Sequence, residues 1–161
     1  MIVKFYDNVS DELLKFAVIF TVHNGKYVFC KHKNRTTLEI PGGHRENGED
    51  ILTAAKRELY EETGAVDYRI RHVCVYSVTN RSLETFGMLY FADVKAFETE
   101  LHSEIEKIVI TDTLPESWNV TVSDDTVKAE DAEMSEASAE EKSEIPDENT
   151  SEDGGSDSDN K

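Results

Sequence analysis

The sequence predicts an α/β (α+β) domain in which strands before and after one central helix form a mixed sheet. Apolar runs rich in β-branched and aromatic residues occur on both sides of one well-capped helical segment. The chain has 161 residues, 38% of them hydrophobic, which is enough for one core and argues against a second full domain. After Trp118 there is no aromatic residue, and Glu, Asp, Ser and Ala dominate. We therefore expect a folded domain over residues 1–120 and a disordered acidic tail over residues 121–161.

A β-hairpin and a short strand are predicted before the helix. Residues 14–22 and 27–30 are apolar and strand-like, and Asn24-Gly25 between them favours a tight hairpin turn. Leu38 to Ile40 forms the short strand. Pro41-Gly42-Gly43 should then interrupt the ladder, because proline lacks the backbone donor and glycine frees the chain, so we expect a loop up to the helix.

The central helix has a signal at each end. Asp50 is suited to the N-cap, residues 54–60 are strong helix formers, and Thr63-Gly64 provides a glycine stop. These signals predict a helix of about 14 residues.

Three strand-like segments and an aromatic anchor follow the helix. An alternating pattern over residues 68–76 predicts a half-buried strand, and one side of the alternation consists of Tyr68, Ile70, His72, Cys74 and Tyr76. Residues 86–94 supply another strand. Glu104 to Thr111 should open as a turn and close as a strand at residues 108–110, before Trp118 makes the anchor.

The charge of the chain is concentrated in the predicted tail. Fifteen acidic residues and three lysines lie from residue 121 onward, so this segment carries −12 of the formal charge of −17. The mildly acidic body has no basic stripe, which argues against long nucleic acid as a ligand but permits a small nucleotide whose phosphates are neutralised by metal. The acidic tail is suited to contacting a basic partner or to keeping the chain soluble.

The remaining composition indicates a cytoplasmic protein with no membrane partner. The N-terminus lacks a signal-peptide pattern, and no apolar stretch approaches about 18 residues. Cys30 and Cys74 lie in apolar runs without CxxC spacing, as expected for buried core thiols in a reducing compartment. The apolar strands could close a core or a homodimer interface equally well.

Three glutamates of the helix lie where an aliphatic face is expected. At about 100° per residue, Glu58 and Glu62 fall within about 20° of Ile51, and Glu61 lies nearby. The ordinary interpretation of a Glu-rich helix is a solvated face with i,i+4 ion pairs. Here the like charges would repel each other and also be desolvated, so a cation should compensate them, and a hard divalent ion fits best.

The spacing of these residues resembles the Nudix box. The pattern begins at Gly43, continues after five intervening residues with Glu49, and ends, after seven more residues, with the run from Arg57 to Gly64. Every defined position of the box matches. The one departure is Ala65, a smaller aliphatic residue than usual at that position. The resemblance implies a Nudix fold, in which a mixed sheet is sandwiched between helices and the box forms a loop–helix–loop.

The resemblance also implies roles for individual residues. Glu62 is the first choice for direct coordination of the catalytic divalent metal, Mg²⁺ or Mn²⁺, and the carbonyl of Gly42 often completes such a site. Arg57 and Glu49 match an ion pair that orients the helix carboxylates. The glutamates matching metal ligands are Glu58, Glu61 and Glu62.

The implied reaction is hydrolysis of a diphosphate linkage in a nucleotide, such as a nucleoside triphosphate cleaved to monophosphate and pyrophosphate. Residues 29–33, 39–45 and 84–91 resemble bacterial MutT-like members that act as 8-oxo-dGTP diphosphatases, which makes 8-oxo-dGTP the leading substrate. One alternative is ADP-ribose or another nucleoside diphosphate joined to a different group. Another is a non-catalytic nucleotide sensor, although such domains commonly lose box glutamates and none is missing here.

Four further residues are candidates for the site. Glu104 lies where family members often place an additional metal ligand or base, against the alternative of a solvated turn residue. Arg35 and Arg45 could reach a phosphate, and Glu84 could face the cleft, although each could equally be a surface charge. The proton acceptor stays open between a box glutamate and a carboxylate of a later loop.

Overall fold

A computed structural model describes residues 2–81, 83–101, 104–121 and 126–128, which form ten strands and one α-helix. A short 3₁₀ turn, Asp11–Leu13, precedes the second strand. The elements are β1 Ile2–Tyr6, β2 Leu14–His23, β3 Lys26–His32, β4 Leu38–Ile40, β5 Gly42–His44, α1 Ile51–Thr63, β6 Ala65–Asn80, β7 Leu83–Phe97, β8 Ile105–Thr111, β9 Trp118–Thr121 and β10 Thr126–Lys128.

All ten strands belong to one mixed sheet. Its order is β1-β6-β7-β2-β3-β4-β9-β10, with β5 paired to β2 and β8 paired to β3. The β2–β7 and β4–β9 pairs are parallel, and the other pairs are antiparallel. The predicted mixed sheet with one central helix is therefore confirmed. The Nudix resemblance implies helices on both sides of the sheet, and the described part contains one α-helix, α1.

The predicted hairpin and helix are confirmed, with strands longer than expected. Asn24 and Gly25 have φ values of 51° and 78°, which is the left-handed geometry of a two-residue hairpin turn. Asp50 caps α1 by accepting hydrogen bonds from the N–H groups of Leu52 at 3.0 Å and Thr53 at 2.9 Å. Gly64, with φ 70°, ends the helix in a left-handed conformation.

The predicted loop after β4 is wrong at Gly42–His44, which form the strand β5. This strand pairs antiparallel with β2, placing Gly42 opposite Val18. A Cβ on Gly42 would lie 2.5 Å from the carbonyl oxygen of Ala17. Gly42 therefore permits the close approach of β5 to β2, whereas the Pro41-Gly42-Gly43 pattern had predicted an interruption of the ladder.

The alternation predicted for residues 68–76 breaks at an irregularity in β6. The pairing with β7 shifts between His72 and Cys74. After this shift Val75 joins Tyr68 and Ile70 in one core cluster, while Tyr76 joins the other. A bulge moves all later side chains to the opposite face, which an uninterrupted period of two cannot represent.

The sheet has a core cluster on each face. Ile19 packs with Ile51 and Leu59 of α1, whereas the neighbouring Val18 packs with Phe29 in the second cluster. Successive strand residues point to opposite faces, so the helix covers one face only. Trp118 packs on the second cluster, with its ring centroid 6.1 Å from that of Phe29, which confirms the predicted aromatic anchor.

The described structure continues past the boundary predicted at residue 120. Thr121 ends β9, and Thr126–Lys128 pair with that strand as β10. The rest of the predicted tail lies outside the described residues. No helix in the described part is long and apolar enough to cross a membrane.

Candidate active site

The Arg57 guanidinium links the loop before α1 to two carboxylates of the helix. Its Nε and Nη2 donate to Glu49 at 2.9 and 3.1 Å, and its Nη1 donates to Glu58 at 2.8 Å and to Glu61 at 3.1 Å. Nη2 also donates to the carbonyl of His44 at 2.9 Å. The hydrogen bonds from Arg57 hold the pKa of Glu49 below its ordinary value. This arrangement fixes the direction in which the helix carboxylates point.

Glu58 is a largely buried carboxylate packed against the glycines of β5. Its side chain is 13% exposed, and a Cβ on Gly43 would lie 2.2 Å from its Oε1. Burial raises the pKa of Glu58, the hydrogen bond from Arg57 opposes this shift, and the charge of Glu62 raises the pKa further. The ionised carboxylate is therefore undercompensated by the side chains around it.

Glu62 faces the sheet and accepts three hydrogen bonds. The donors are the backbone N–H of Gly42 at 2.9 Å, the His32 Nε2 at 3.1 Å and the Cys30 thiol at 3.6 Å. The hydrogen bond to Glu62 is the main cause that raises the pKa of His32. Burial is the main cause that raises the pKa of the Cys30 thiol. Since Gly42 and Gly43 are adjacent, Glu62 and Glu58 lie side by side along β5.

A third buried carboxylate, Glu39 of β4, borders this group. Its side chain is 1% exposed, it forms an ion pair with Arg35, and its Oε2 lies 3.7 Å from the His32 Nε2. Burial raises the pKa of Glu39. Its Oε1 has no hydrogen-bond partner among the described residues.

Three residues of this site were not predicted, although the sequence contains two signals for them. They are Cys30, His32 and Glu39. Cys30 and His32 are two positions apart on a strand, so their side chains share a face. Glu39 is a charged residue inside a three-residue strand of otherwise apolar character. Only the sheet pairing shows that this face is the one covered by α1.

The donor set suits a hard divalent cation. The helix presents three carboxylates, those of Glu58, Glu61 and Glu62. Glu58 and Glu62 are largely buried, and the charge of Glu62 raises the pKa of Glu58. Small hard cations bind carboxylate oxygens and offset such repulsion. The same geometry leaves Glu61 42% exposed, at the solvent side of the group.

Two of the other predicted residues lie beside this group. Arg35 contacts it through Glu39 and is 40% exposed, so part of its guanidinium is open to solvent. Glu104 is exposed in the turn before β8, where its carbonyl accepts from the N–H of Lys33 at 2.9 Å. Its backbone is thus anchored to the residue that follows His32.

The other two predicted residues are already paired within the protein, and the Nε of Arg45 donates to the carbonyl of Glu49 at 2.6 Å. Arg45 donates to the carbonyl of Asp11 and forms an ion pair with its carboxylate, each at 2.7 Å. Glu84 accepts from the hydroxyls of Tyr6 at 3.1 Å and Ser77 at 2.8 Å. These contacts hold Glu84 at the β1–β6–β7 side of the sheet.

Comparisons with known proteins agree with this geometry. The NUDIX domain family model matches residues 13–138. YtkD of Bacillus subtilis (strain 168), named as a provisionally assigned 8-oxo-dGTP diphosphatase, is 30% identical over 114 residues, covering 70% of this chain and 72% of that protein.

Solved structures with similar folds include other hydrolases. A mutant of the Bacillus subtilis pyrophosphohydrolase BsRppH has a TM-score of 0.63 and 27% identity, covering 71% of this chain and 73% of that one. A Nudix hydrolase from Nitrosomonas europaea shares the fold at a TM-score of 0.51 and 22% identity, covering 61% of this chain and 72% of its own. The chain therefore belongs to the Nudix family and is a Nudix pyrophosphohydrolase.

Proposed function

We propose that the protein hydrolyses the diphosphate linkage of a nucleoside triphosphate, releasing a nucleoside monophosphate and pyrophosphate. The observation that carries this proposal is the group of three helix glutamates, two of which Arg57 holds in place. The similarity to YtkD makes 8-oxo-dGTP the leading member of this substrate class. ADP-ribose and other nucleoside diphosphate conjugates are the alternative substrates that the same bond chemistry would serve.

The proposed cofactor is Mg²⁺, with Mn²⁺ as the alternative, held by Glu58, Glu61 and Glu62 and by the carbonyl of Gly42. When bound, such an ion supplies positive charge that offsets the negative charge of the diphosphate oxygens. Glu49 holds Arg57 in place, and Arg57 in turn orients Glu58 and Glu61.

Two residues outside the helix are proposed to assist. The exposed part of the Arg35 guanidinium is suited to a phosphate oxygen, because arginine donates several hydrogen bonds in a planar arrangement. Glu104 is proposed as an additional metal ligand or proton acceptor from the turn before β8. Arg45 and Glu84 are weaker candidates, since their side chains already pair within the protein.

The test is a screen of nucleoside triphosphates, 8-oxo-dGTP, ADP-ribose and nucleotide sugars with Mg²⁺, in which all phosphorus-containing and nucleoside products are identified. We expect pyrophosphate release from at least one triphosphate. Glu62→Gln should lower that rate by about a thousandfold or more, on the scale observed when a catalytic electrostatic group is lost.

The control is Glu116→Gln, the same chemical change at an exposed glutamate outside the group. Its activity should equal that of the unaltered protein, and both variants should retain the native circular dichroism spectrum. Full activity of Glu62→Gln would contradict the metal assignment. Tight, metal-dependent nucleotide binding without any product would instead indicate a sensor.

A further inference from the structure

The Glu62 carboxylate of α1 lies close to a thiol and an imidazole of the sheet, those of Cys30 and His32. The Cys30 Sγ, the His32 Nε2 and one oxygen of Glu62 lie within 4.8 Å of one another. Cys30 and His32 come from alternate positions of β3, and Glu62 comes from the last turn of α1. The three donors therefore come from two elements that pack together in the core.

The separations are close to those of a tetrahedral metal site. Zinc–sulfur bonds of about 2.3 Å and zinc–nitrogen bonds of about 2.0–2.1 Å place neighbouring ligand atoms about 3.3–3.6 Å apart. The His32 Nε2 lies 3.1 Å from Glu62 Oε1, and the Cys30 Sγ lies 3.6 Å from Glu62 Oε2. Because these two distances involve different oxygens of Glu62, a bidentate or rotated carboxylate would bring the three side chains to one ion.

Glu39 is a buried and incompletely hydrogen-bonded carboxylate beside this group. It is opposite Cys30 in the β3–β4 pairing, so the two side chains share a face. The carboxylate is 1% exposed, yet its Oε1 has no hydrogen-bond partner in the described part of the chain. Its other oxygen, Oε2, lies 3.7 Å from the His32 Nε2, so a cation bound at this group would lie near a buried negative charge and would offset part of its burial cost.

We propose that Cys30, His32 and Glu62 bind a thiophilic divalent ion of the Zn²⁺ class, with the buried Glu39 carboxylate as a neighbouring negative charge. Thiolate and imidazole ligands select such ions over Mg²⁺, which prefers oxygen ligands. Binding joins the Cys30 sulfur to the metal as its thiol proton leaves to solvent. This site does not depend on the proposed reaction, because its ligand set differs from the three helix glutamates and shares only Glu62 with them.

The test uses Co²⁺ as a spectroscopic substitute for Zn²⁺ on the full-length, metal-free protein. We expect a thiolate-to-cobalt charge-transfer band and the visible bands of a four-coordinate ion, all lost when one equivalent of Zn²⁺ is added. Cys30→Ser should abolish the charge-transfer band and weaken Zn²⁺ binding by about tenfold or more. Cys74→Ser, which alters the protein's other thiol, should change neither.

A second variant guards against a folding defect in Cys30→Ser. His32→Gln leaves the thiol intact and should weaken Zn²⁺ binding by about tenfold or more while retaining the native circular dichroism spectrum. A charge-transfer band that survives in Cys30→Ser would overturn the proposal. So would a cobalt spectrum typical of six oxygen ligands in the unaltered protein, or Zn²⁺ affinity unchanged in both variants.

Discussion

At the scale of single residues, the site places negative charges where solvent cannot stabilise them. Glu58 is mostly buried, and Glu39 is almost entirely buried. Burial is the largest cause that raises the pKa of each carboxyl, so the ionised forms are unfavourable in the metal-free protein. Functional sites commonly contain groups of this kind, because the strain is relieved when a ligand or metal binds.

We expect Glu58→Gln to stabilise the metal-free protein at neutral pH. The pKa of Glu58 in the folded state lies above its ordinary value of 4.5, so its ionisation opposes folding. This penalty is fully present above the folded-state pKa, shrinks as the pH falls from there toward 4.5, and is absent below that value. The free energy of unfolding should rise by about 1 kcal/mol, the usual scale of a single stabilising substitution. Urea denaturation at pH 7, with and without Mg²⁺, measures both this gain and the expected loss of stabilisation by Mg²⁺.

Glu61→Gln is the matched control, because that carboxylate also binds Arg57 but is 42% exposed. Its effect on the metal-free protein should stay within about 0.5 kcal/mol. Lower stability of metal-free Glu58→Gln would show that pairing with Arg57 outweighs the cost of burial.

At the scale of elements, the site depends on how closely β5 packs between β2 and α1. Gly42 faces the backbone of β2, and Gly43 faces the Glu58 carboxylate. The two glycines therefore have different roles in the same short strand. One allows the strands to pair, and the other leaves space for a side chain of the site.

Alanine substitutions should separate these two roles. Gly42→Ala would place a Cβ 2.5 Å from the Ala17 carbonyl oxygen, which belongs to a paired strand. We expect it to destabilise the fold by about 1–3 kcal/mol, the usual cost of overpacking. Gly43→Ala would displace Glu58, so it should retain more of the stability but lose most of the thermal stabilisation by Mg²⁺. Thermal unfolding across a Mg²⁺ titration distinguishes the variants, and a normal Mg²⁺ response in Gly43→Ala would contradict this role.

At the scale of the whole molecule, the sheet order joins distant segments into one site. The helix carboxylates meet β3, β4 and β5, and β4 is itself paired with β9. The family match extends to residue 138, beyond the domain boundary that composition predicts. In the sheet order, β9 and β10 form the edge next to β4, the strand that carries Glu39.

Two truncations should show where the acidic tail becomes dispensable. Deletion of residues 139–161 should leave both the melting temperature and the rate of nucleotide hydrolysis unchanged, because it spares every described strand and the family match. Deletion of residues 121–161 removes β10 and the end of β9, so it should lower the melting temperature by several degrees. Equal melting temperatures for the two truncations would show that β10 contributes nothing to stability.

The sequence by itself determined the features that depend on neighbours along the chain. The Asn24-Gly25 turn, the Asp50 cap and the left-handed Gly64 follow from local backbone preferences. The helical repeat sets the spacing of the glutamates on α1, and that spacing predicted a cation. The resemblance of residues 43–64 to the Nudix box implied the family. The loss of aromatic residues after Trp118 also marked the aromatic anchor, whereas the one core expected from composition is divided between the two faces of the sheet.

Only the tertiary structure decided the features that depend on strand pairing. Gly42–His44 form a strand because glycine lets their backbone pair closely with β2. The side chains of β6 change faces where its pairing with β7 shifts by a residue. The packing of β3 under α1 placed Cys30 and His32 against Glu62, and the pairing of β3 with β4 placed Glu39 opposite Cys30. Local spacing specifies a helix face, but contacts between strands join residues far apart in the chain, and their register depends on the packing of the whole sheet.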